Sequence, residues 1–244
     1  MTQEEIPAGS VAAATPKRDI SALYTPIAIV VAGALIGGAL YASLASKTEN
    51  VAGPGVAPGP VAVDIKDVNI KGAPFIGKAN APLTMAYWSD YQCPFCKQFE
   101  TQVLPALVKQ YVDTGKLKIV FMDFAFLGPD STTAALYKHA VWDLYPGKFF
   151  EWNEAMYKAQ DQEHGGFGNE ESVLKLIASL GGMDTNKLKA RVASKMAEYE
   201  QLIALGQSEG GKAGVGGTPG FVVGNTLIEG AQGLQSFITA IDSQ

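Results

Sequence analysis

The chain has 244 residues, 47% of them apolar, with a formal net charge of −5 and a pI near 5.1. That length holds one large or two small domains, and the acidic balance argues against nucleic acid as the main partner, since phosphate binding needs a basic footprint. Only two cysteines, Cys93 and Cys96, and two isolated histidines, His139 and His164, occur. This is neither the spread of cysteines in a disulfide-stapled scaffold nor the ligand set of a zinc ribbon, so no metal site is expected.

From Ile20 to Ser46 the chain carries no charge, and its most apolar part runs from Ile27 to Leu44. About 20 helical residues span a bilayer core, so 20–46 reads as a single-pass transmembrane segment. Lys17 and Arg18 precede it and place residues 1–19 in the cytoplasm, with everything downstream exported. The competing reading is a cleaved signal peptide, for which Ser43 and Ala45 supply small residues. Gly33 and Gly37 form a GxxxG pattern that can pack helix dimers or simply belong to a glycine-rich span. Residues 47–60, with the run AGPGVAPGP from Ala52, read as a semi-extended linker.

A folded part is expected from residue 61. Val61 to Ile70 alternates weakly as a strand, and Leu83 to Ser89 is a stronger one. A helix follows from Pro94, with Phe95, Phe99, Val103, Leu107 and Val108 at three- and four-residue spacing, and Gly115 stops it. Leu117 to Phe121 is another strand, which completes a parallel crossover unit. Residues 130–211 read as almost wholly helical. Asp130 or Ser131 caps the first helix, Gly147 starts the second, Asn169 opens a third and Asp184 caps a fourth. The buried stripe of the fourth is Leu188, Val192, Met196, Tyr199 and Ile203. Strands return at Phe221 to Val223 and Thr226 to Glu229, joined at Gly224-Asn225. Leu234 to Ile241 closes the chain as a helix. The order predicts an α/β domain built from 61–129 and 212–244, with a helical domain, 130–211, inserted.

The sequence Cys93-Pro94-Phe95-Cys96 follows a strand and opens a helix. A helix N-terminus offers unpaired N–H groups and partial positive charge, and both stabilise a thiolate. Pro94 suits the first turn because its missing N–H would have no intrahelical partner. The spacing lets the two sulfurs close a disulfide. As a mere staple it would be weak, since a four-residue loop gives roughly 2 kcal/mol against about 4.7 for one near 100 residues. The motif therefore reads as redox-active, with Cys93 the exposed nucleophile and Cys96 the buried resolving thiol. The redox group is then the Cys93–Cys96 disulfide itself, and no separate cofactor is required.

Three stretches carry a resemblance. Tyr87-Trp88-Ser89-Asp90-Tyr91-Gln92 before CPFC, Gly147-Lys148-Phe149-Phe150-Glu151-Trp152, and Gly214-Val215-Gly216-Gly217-Thr218-Pro219 together resemble the DsbA-like thioredoxin-fold oxidoreductases, from about Ala73 to the C-terminus. The resemblance implies a thioredoxin fold with an inserted helical domain, which the apolar segment 20–46 would precede as an N-terminal transmembrane helix. It implies that Pro219 is cis and lies against Cys93. It also implies that Thr218 pairs with an extended substrate segment, with Pro94 and Phe95 as further substrate contacts. The implied partners are reduced exported polypeptides and a quinone-linked membrane reoxidase of the DsbB or vitamin K epoxide reductase type. The chain departs from the family in its Pro-Phe dipeptide, which lacks a histidine, in Ala125 where relatives often have Pro, and in Gly220 after the proline.

Weaker candidates surround the motif. Asp90 is either a proton relay for Cys96 or a solvated pre-helix acid. Lys97 either favours the thiolate or lies in solvent. Trp88, Tyr91, Phe95 and Phe99 either rim a peptide groove or belong to the core. The leading function is introduction of disulfides into exported proteins. A reductase or isomerase shares the motif chemistry. A copper- or peptide-binding module of the same fold is the alternative outside enzymology, and it lacks histidine and methionine ligands near the motif.

Overall fold

The computed structural model describes residues 63–244. The expected tail, membrane span, GxxxG pattern and linker lie outside the described residues. Among the described residues no helix is both long and apolar enough to cross a membrane.

Two neighbouring parallel strands, joined in sequence through a helix, lie in the middle of the sheet. β1 (Phe75–Ile76), β2 (Leu83–Ser89), β3 (Leu117–Asp123), β4 (Gly220–Val223) and β5 (Thr226–Glu229) form one sheet in the order β1-β3-β2-β4-β5. β2 and β3 are parallel, with Leu83 opposite Leu117 and Ser89 opposite Asp123; the other pairs are antiparallel. Both faces of the central strands are covered, so their side chains divide by alternation. Met85, Tyr87, Ile119, Phe121, Phe221 and Val223 face the larger core, whereas Ala86, Trp88, Val120, Met122 and Val222 face a smaller one. Tyr87 stacks on Phe221 at 4.9 Å and tilts against Phe99 at 4.9 Å, which presses the redox helix onto the sheet.

The helices are α1 (Pro94–Gln102), α2 (Leu104–Leu107), α3 (Pro129–Leu144), α4 (Phe149–Ala159), α5 (Glu170–Leu180), α6 (Thr185–Lys212) and α7 (Leu234–Asp242). The caps of α5 and α6 follow the sequence: Asn169 accepts from the Ser172 N–H and Asp184 from the Lys187 N–H. Buried residues of α3 to α6 belong to the same cluster as those of the sheet and of α7, so the helical segment shares the sheet's core.

Several expectations fail for local reasons. Ile65–Asp67 is a 3-10 turn rather than strand, because the Asp64 carboxylate accepts from the Lys66 N–H. The helix expected to run on to Gly115 breaks at Val103, where φ is −114°, and continues as α2 and a π-helical turn, Val108–Val112. Pro105 accounts for the break, since it lacks the N–H that Thr101 would receive. α3 starts at Pro129 behind Gly128, without a side-chain cap; Ser131 bonds Asp90 instead. Pro146–Lys148 is a 3-10 turn, and α4 begins only at Phe149. Met196 is exposed, unlike the rest of its stripe. The two-residue strand β1 was not anticipated.

Candidate active site

The redox turn is built where β2 ends at the top of the sheet. Cys93 caps α1 with extended backbone (φ −78°, ψ 118°), and Pro94 takes the first helical position. Both cysteines are free thiols. Cys96 is wholly buried and Cys93 keeps 4% of its surface, so the nucleophile is less open than the sequence suggested. Its neighbours Pro94 and Phe95 are exposed, Phe95 at 60%. The Thr218–Pro219 bond is cis. It brings the Thr218 carbonyl to 3.4 Å from Cys93 Sγ, which donates to it as a thiol. Gly220 leaves no room for a side chain, because an added Cβ would run into Val215; this explains glycine after the proline.

The two sulfurs are electrostatically unequal. A hydrogen bond from the Cys96 thiol is the main influence on Cys93; burial opposes it, and Thr218 with the N–H groups of Cys96 and Phe95 adds to it. The result is a Cys93 pKa lowered to about 6. Cys96 is pushed well above the usual thiol range, first by burial and then by its neighbour Cys93. At neutral pH the reduced pair holds one thiolate, on Cys93, and one thiol, on Cys96.

A thioredoxin family profile matches residues 69–243. The chain belongs to the thioredoxin family. Within it, the chain groups with the DsbA-like disulfide oxidoreductases. Disulfide bond formation protein D of Bacillus subtilis is 37% identical over 92 residues, 38% of this chain. That match spans 41% of the Bacillus protein's own length. The probable disulfide bond formation protein D of Bacillus anthracis is 28% identical over 62% of this chain and 70% of its own. The crystal structure of oxidised BdbD from Bacillus subtilis superposes with a TM-score of 0.68 at 24% identity, covering 75% of this chain and 97% of that one. The thiol-disulfide exchange protein alpha-DsbA2 from Wolbachia pipientis gives a TM-score of 0.61 at 27% identity over 70% and 86%.

On this thioredoxin-family frame the other candidates divide. The Asp90 carboxylate is buried and fully engaged. Its Oδ1 accepts from the Gln92 N–H at 2.8 Å and the Ser131 hydroxyl at 2.6 Å, and its Oδ2 from the Phe126 and Leu127 N–H groups at 2.9 and 3.0 Å. It ties the redox turn to the loop after β3. Trp88, Tyr91 and Phe99 are buried in the core and do not rim a groove; of the four aromatics only Phe95 is exposed. Phe126, on the loop after β3, is with Phe95 one of the two exposed phenylalanines among the described residues, and nothing in its spacing marked it. His139 is buried on Asp123 (Nε2 to Oδ2 2.7 Å), and His164 lies exposed on Glu163. Among the described residues no cluster of three His, Cys, Asp or Glu side chains is placed to hold a metal.

Two site residues escaped the sequence reading. Glu100 lies one turn beyond Cys96, on the same helical face. Burial raises its pKa to about 8, although the Asn153 amide donates to both carboxylate oxygens at 3.0 and 3.1 Å. Asn153 in turn accepts from the Tyr91 hydroxyl at 2.7 Å, which links α4 to the redox turn. Gln160, at the end of α4, reaches the redox turn with its side-chain amide. The i,i+4 spacing from Cys96 was the available signal for Glu100; Gln160 had none, because its partners are more than sixty residues away.

Proposed function

We propose that this chain introduces disulfides into reduced exported polypeptides through the Cys93–Cys96 pair. The observation that carries the reading is the inequality of the two sulfurs. A substrate thiolate attacks Sγ of Cys93 in the oxidised pair, the S–S bond breaks, and Cys96 leaves and takes up a proton. A second substrate thiolate then attacks the substrate sulfur of the mixed disulfide and expels Cys93 as a thiolate. Two substrate thiols become one disulfide, the enzyme gains two electrons, one proton stays on Cys96 and one is released. A low Cys93 pKa favours the second step, because the better leaving group departs faster, and it favours the reduced enzyme at equilibrium.

In this reading Thr218 and Pro219, together with Pro94 and Phe95, contact an extended substrate segment. Segment 20–46 holds the catalytic domain outside the cytoplasmic membrane, and a quinone-linked membrane reoxidase recovers the two electrons. The test is the reduction potential against glutathione, combined with oxidation of a dithiol peptide. A potential near the thioredoxin value of about −270 mV turns the assignment to a reductase, whereas one near the DsbA value of about −120 mV supports it. Cys93→Ser is expected to abolish peptide oxidation; retained turnover would remove Cys93 from the nucleophile's role.

A further inference from the structure

Gln160 occupies the first position after α4, where the helix gives way to the loop that leads to α5. It is buried. Its side-chain Nε2 donates to the Tyr91 carbonyl at 2.6 Å and to the Cys93 carbonyl at 3.1 Å. Its own backbone carbonyl accepts from Lys97 Nζ at 2.5 Å. Lys97 also donates its N–H to the Cys93 carbonyl at 3.2 Å, as the first bond of the redox helix. The contacts close a circuit: α1 holds the backbone of Gln160, and Gln160 holds the backbone of the nucleophile. A second stitch runs beside it, since the Gln92 side chain donates to the Phe167 carbonyl and accepts from the His164 N–H.

The carboxamide cannot be turned round without loss. Reversed, its oxygen would face two carbonyl oxygens, all three of them acceptors. In the observed orientation Oε1 is buried with no hydrogen-bond partner, which costs free energy. The amide is thus held by the two carbonyls it serves.

We infer that Gln160 is a positioning residue that sets the reactivity of Cys93 from the helical segment, by clamping the Tyr91 and Cys93 carbonyl groups away from the sulfur. The physical reason is local. A backbone carbonyl oxygen carries partial negative charge, and two of them, that of Cys93 itself and that of Tyr91 two residues before it, lie in the redox turn. The donated N–H groups offset that charge. They also fix the Cys93 backbone so that its sulfur stays over the N–H groups of the first helical turn, where an anion is favoured. Removing the donor exposes the charge and frees the turn, and both effects disfavour the thiolate. The inference rests on Cys93 being the nucleophile.

The test uses the reduced full-length protein. The rate of iodoacetamide alkylation is followed against pH, with the labelled cysteine identified by peptide mass spectrometry, in the parent, Gln160→Met and Gln160→Glu. Methionine keeps the volume and removes the donor; a glutamate carboxylate would put negative charge against the carbonyls. The alkylation midpoint of Cys93 is expected to rise by about half a pH unit in Gln160→Met and by about one unit or more in Gln160→Glu, roughly threefold and tenfold in proton affinity. Labelling at Cys93 with coincident midpoints in all three proteins overturns the role of Gln160 and leaves the nucleophile assignment intact. A lowered melting temperature with an unmoved midpoint makes Gln160 merely structural and overturns the inference. Labelling first at Cys96 overturns the inference together with the assignment beneath it.

Discussion

Glu100 and Asp123 are two buried carboxylates pushed in opposite directions. Glu100, beneath the redox helix, has a pKa raised to about 8, with burial the leading cause and only neutral groups, the Asn153 amide first, opposing it. Asp123 ends β3 under α6. Burial would raise it too, but Lys138 and His139 outweigh burial and hold it at about 2. Lys138 Nζ lies 2.6 Å from Oδ1 and His139 Nε2 lies 2.7 Å from Oδ2. Burial also lowers the Lys138 pKa, which Asp123 only partly offsets; two donors on its oxygens keep Asp123 ionised. α6 closes over this cluster, and an added Cβ at Gly206 would stand 2.7 Å from the Asp123 carbonyl oxygen. The contrast shows that a charged partner, and not depth, decides whether a buried acid is a fixed ion or a group able to exchange a proton near neutral pH. The fixed ion ends β3 opposite Ser89, and the exchangeable acid lies one turn from Cys96.

Deleting the anion should break this comparison most severely. Asp123→Ala leaves the buried Lys138 ammonium without its counter-ion, a loss of about 3–5 kcal/mol. The melting temperature should fall by roughly 10 °C. In the parent, Asp123 binds its proton more weakly folded than unfolded. Its contribution is therefore full above its ordinary value of 3.8 and is lost as pH falls toward about 2. Thermal melts between pH 2 and 7 should show that acid limb in the parent and a shallower one in the variant. Equal melting temperatures at pH 7 would mean that the cluster carries no stability.

Glu100→Gln should sharpen the contrast with the opposite slope. Folding raises this pKa, so the carboxyl's contribution is full below its ordinary 4.5 and is lost as pH rises through about 8. A neutral amide removes that loss. The variant should match or fall slightly below the parent at pH 5, and exceed it by about 2–4 kcal/mol at pH 9. Denaturant melts at the two pH values decide it. Parallel stability curves would place the Glu100 pKa in the ordinary range and remove it as a proton-exchanging group beside Cys96.

Much of this architecture was legible because it is local. The strand before the motif, the proline-led helix, the caps at Asn169 and Asp184 and the final hairpin each declare themselves within a few residues. The site's chemistry was legible to the same extent: two cysteines at helix spacing announce a redox pair without any tertiary information. What stayed hidden depends on distant partners. Gln160 meets the redox turn sixty-seven residues from Cys93. Trp88, Tyr91 and Phe99 stood open between groove and core because aromatic residues near a motif fit either, and burial settles it. The strand expected near Ile65 failed because an Asx turn at Asp64 competes with a weak alternation.

Asp90 supplies the third and mildest test, because its donors are all neutral. Asp90→Asn replaces one acceptor oxygen by an NH2 group. If that group faced Phe126 and Leu127, two part-buried backbone donors would lose their acceptor. If it faces Gln92 and Ser131 instead, the Ser131 hydroxyl can rotate to accept, and only the Gln92 N–H is stranded. The second arrangement costs less, about 1–2 kcal/mol for one buried unsatisfied donor. The expected outcome is a modest fall in melting temperature, with the pH profile of Cys93 alkylation unmoved, since the carboxylate binds the loops around the site and not the sulfur. A variant that keeps its melting temperature but loses the pH dependence of peptide oxidation would reverse this, and would make Asp90 the proton relay. The order Asp123, Glu100, Asp90 follows from what each oxygen faces: a buried ammonium and an imidazole, one amide in a dry core, or four neutral donors.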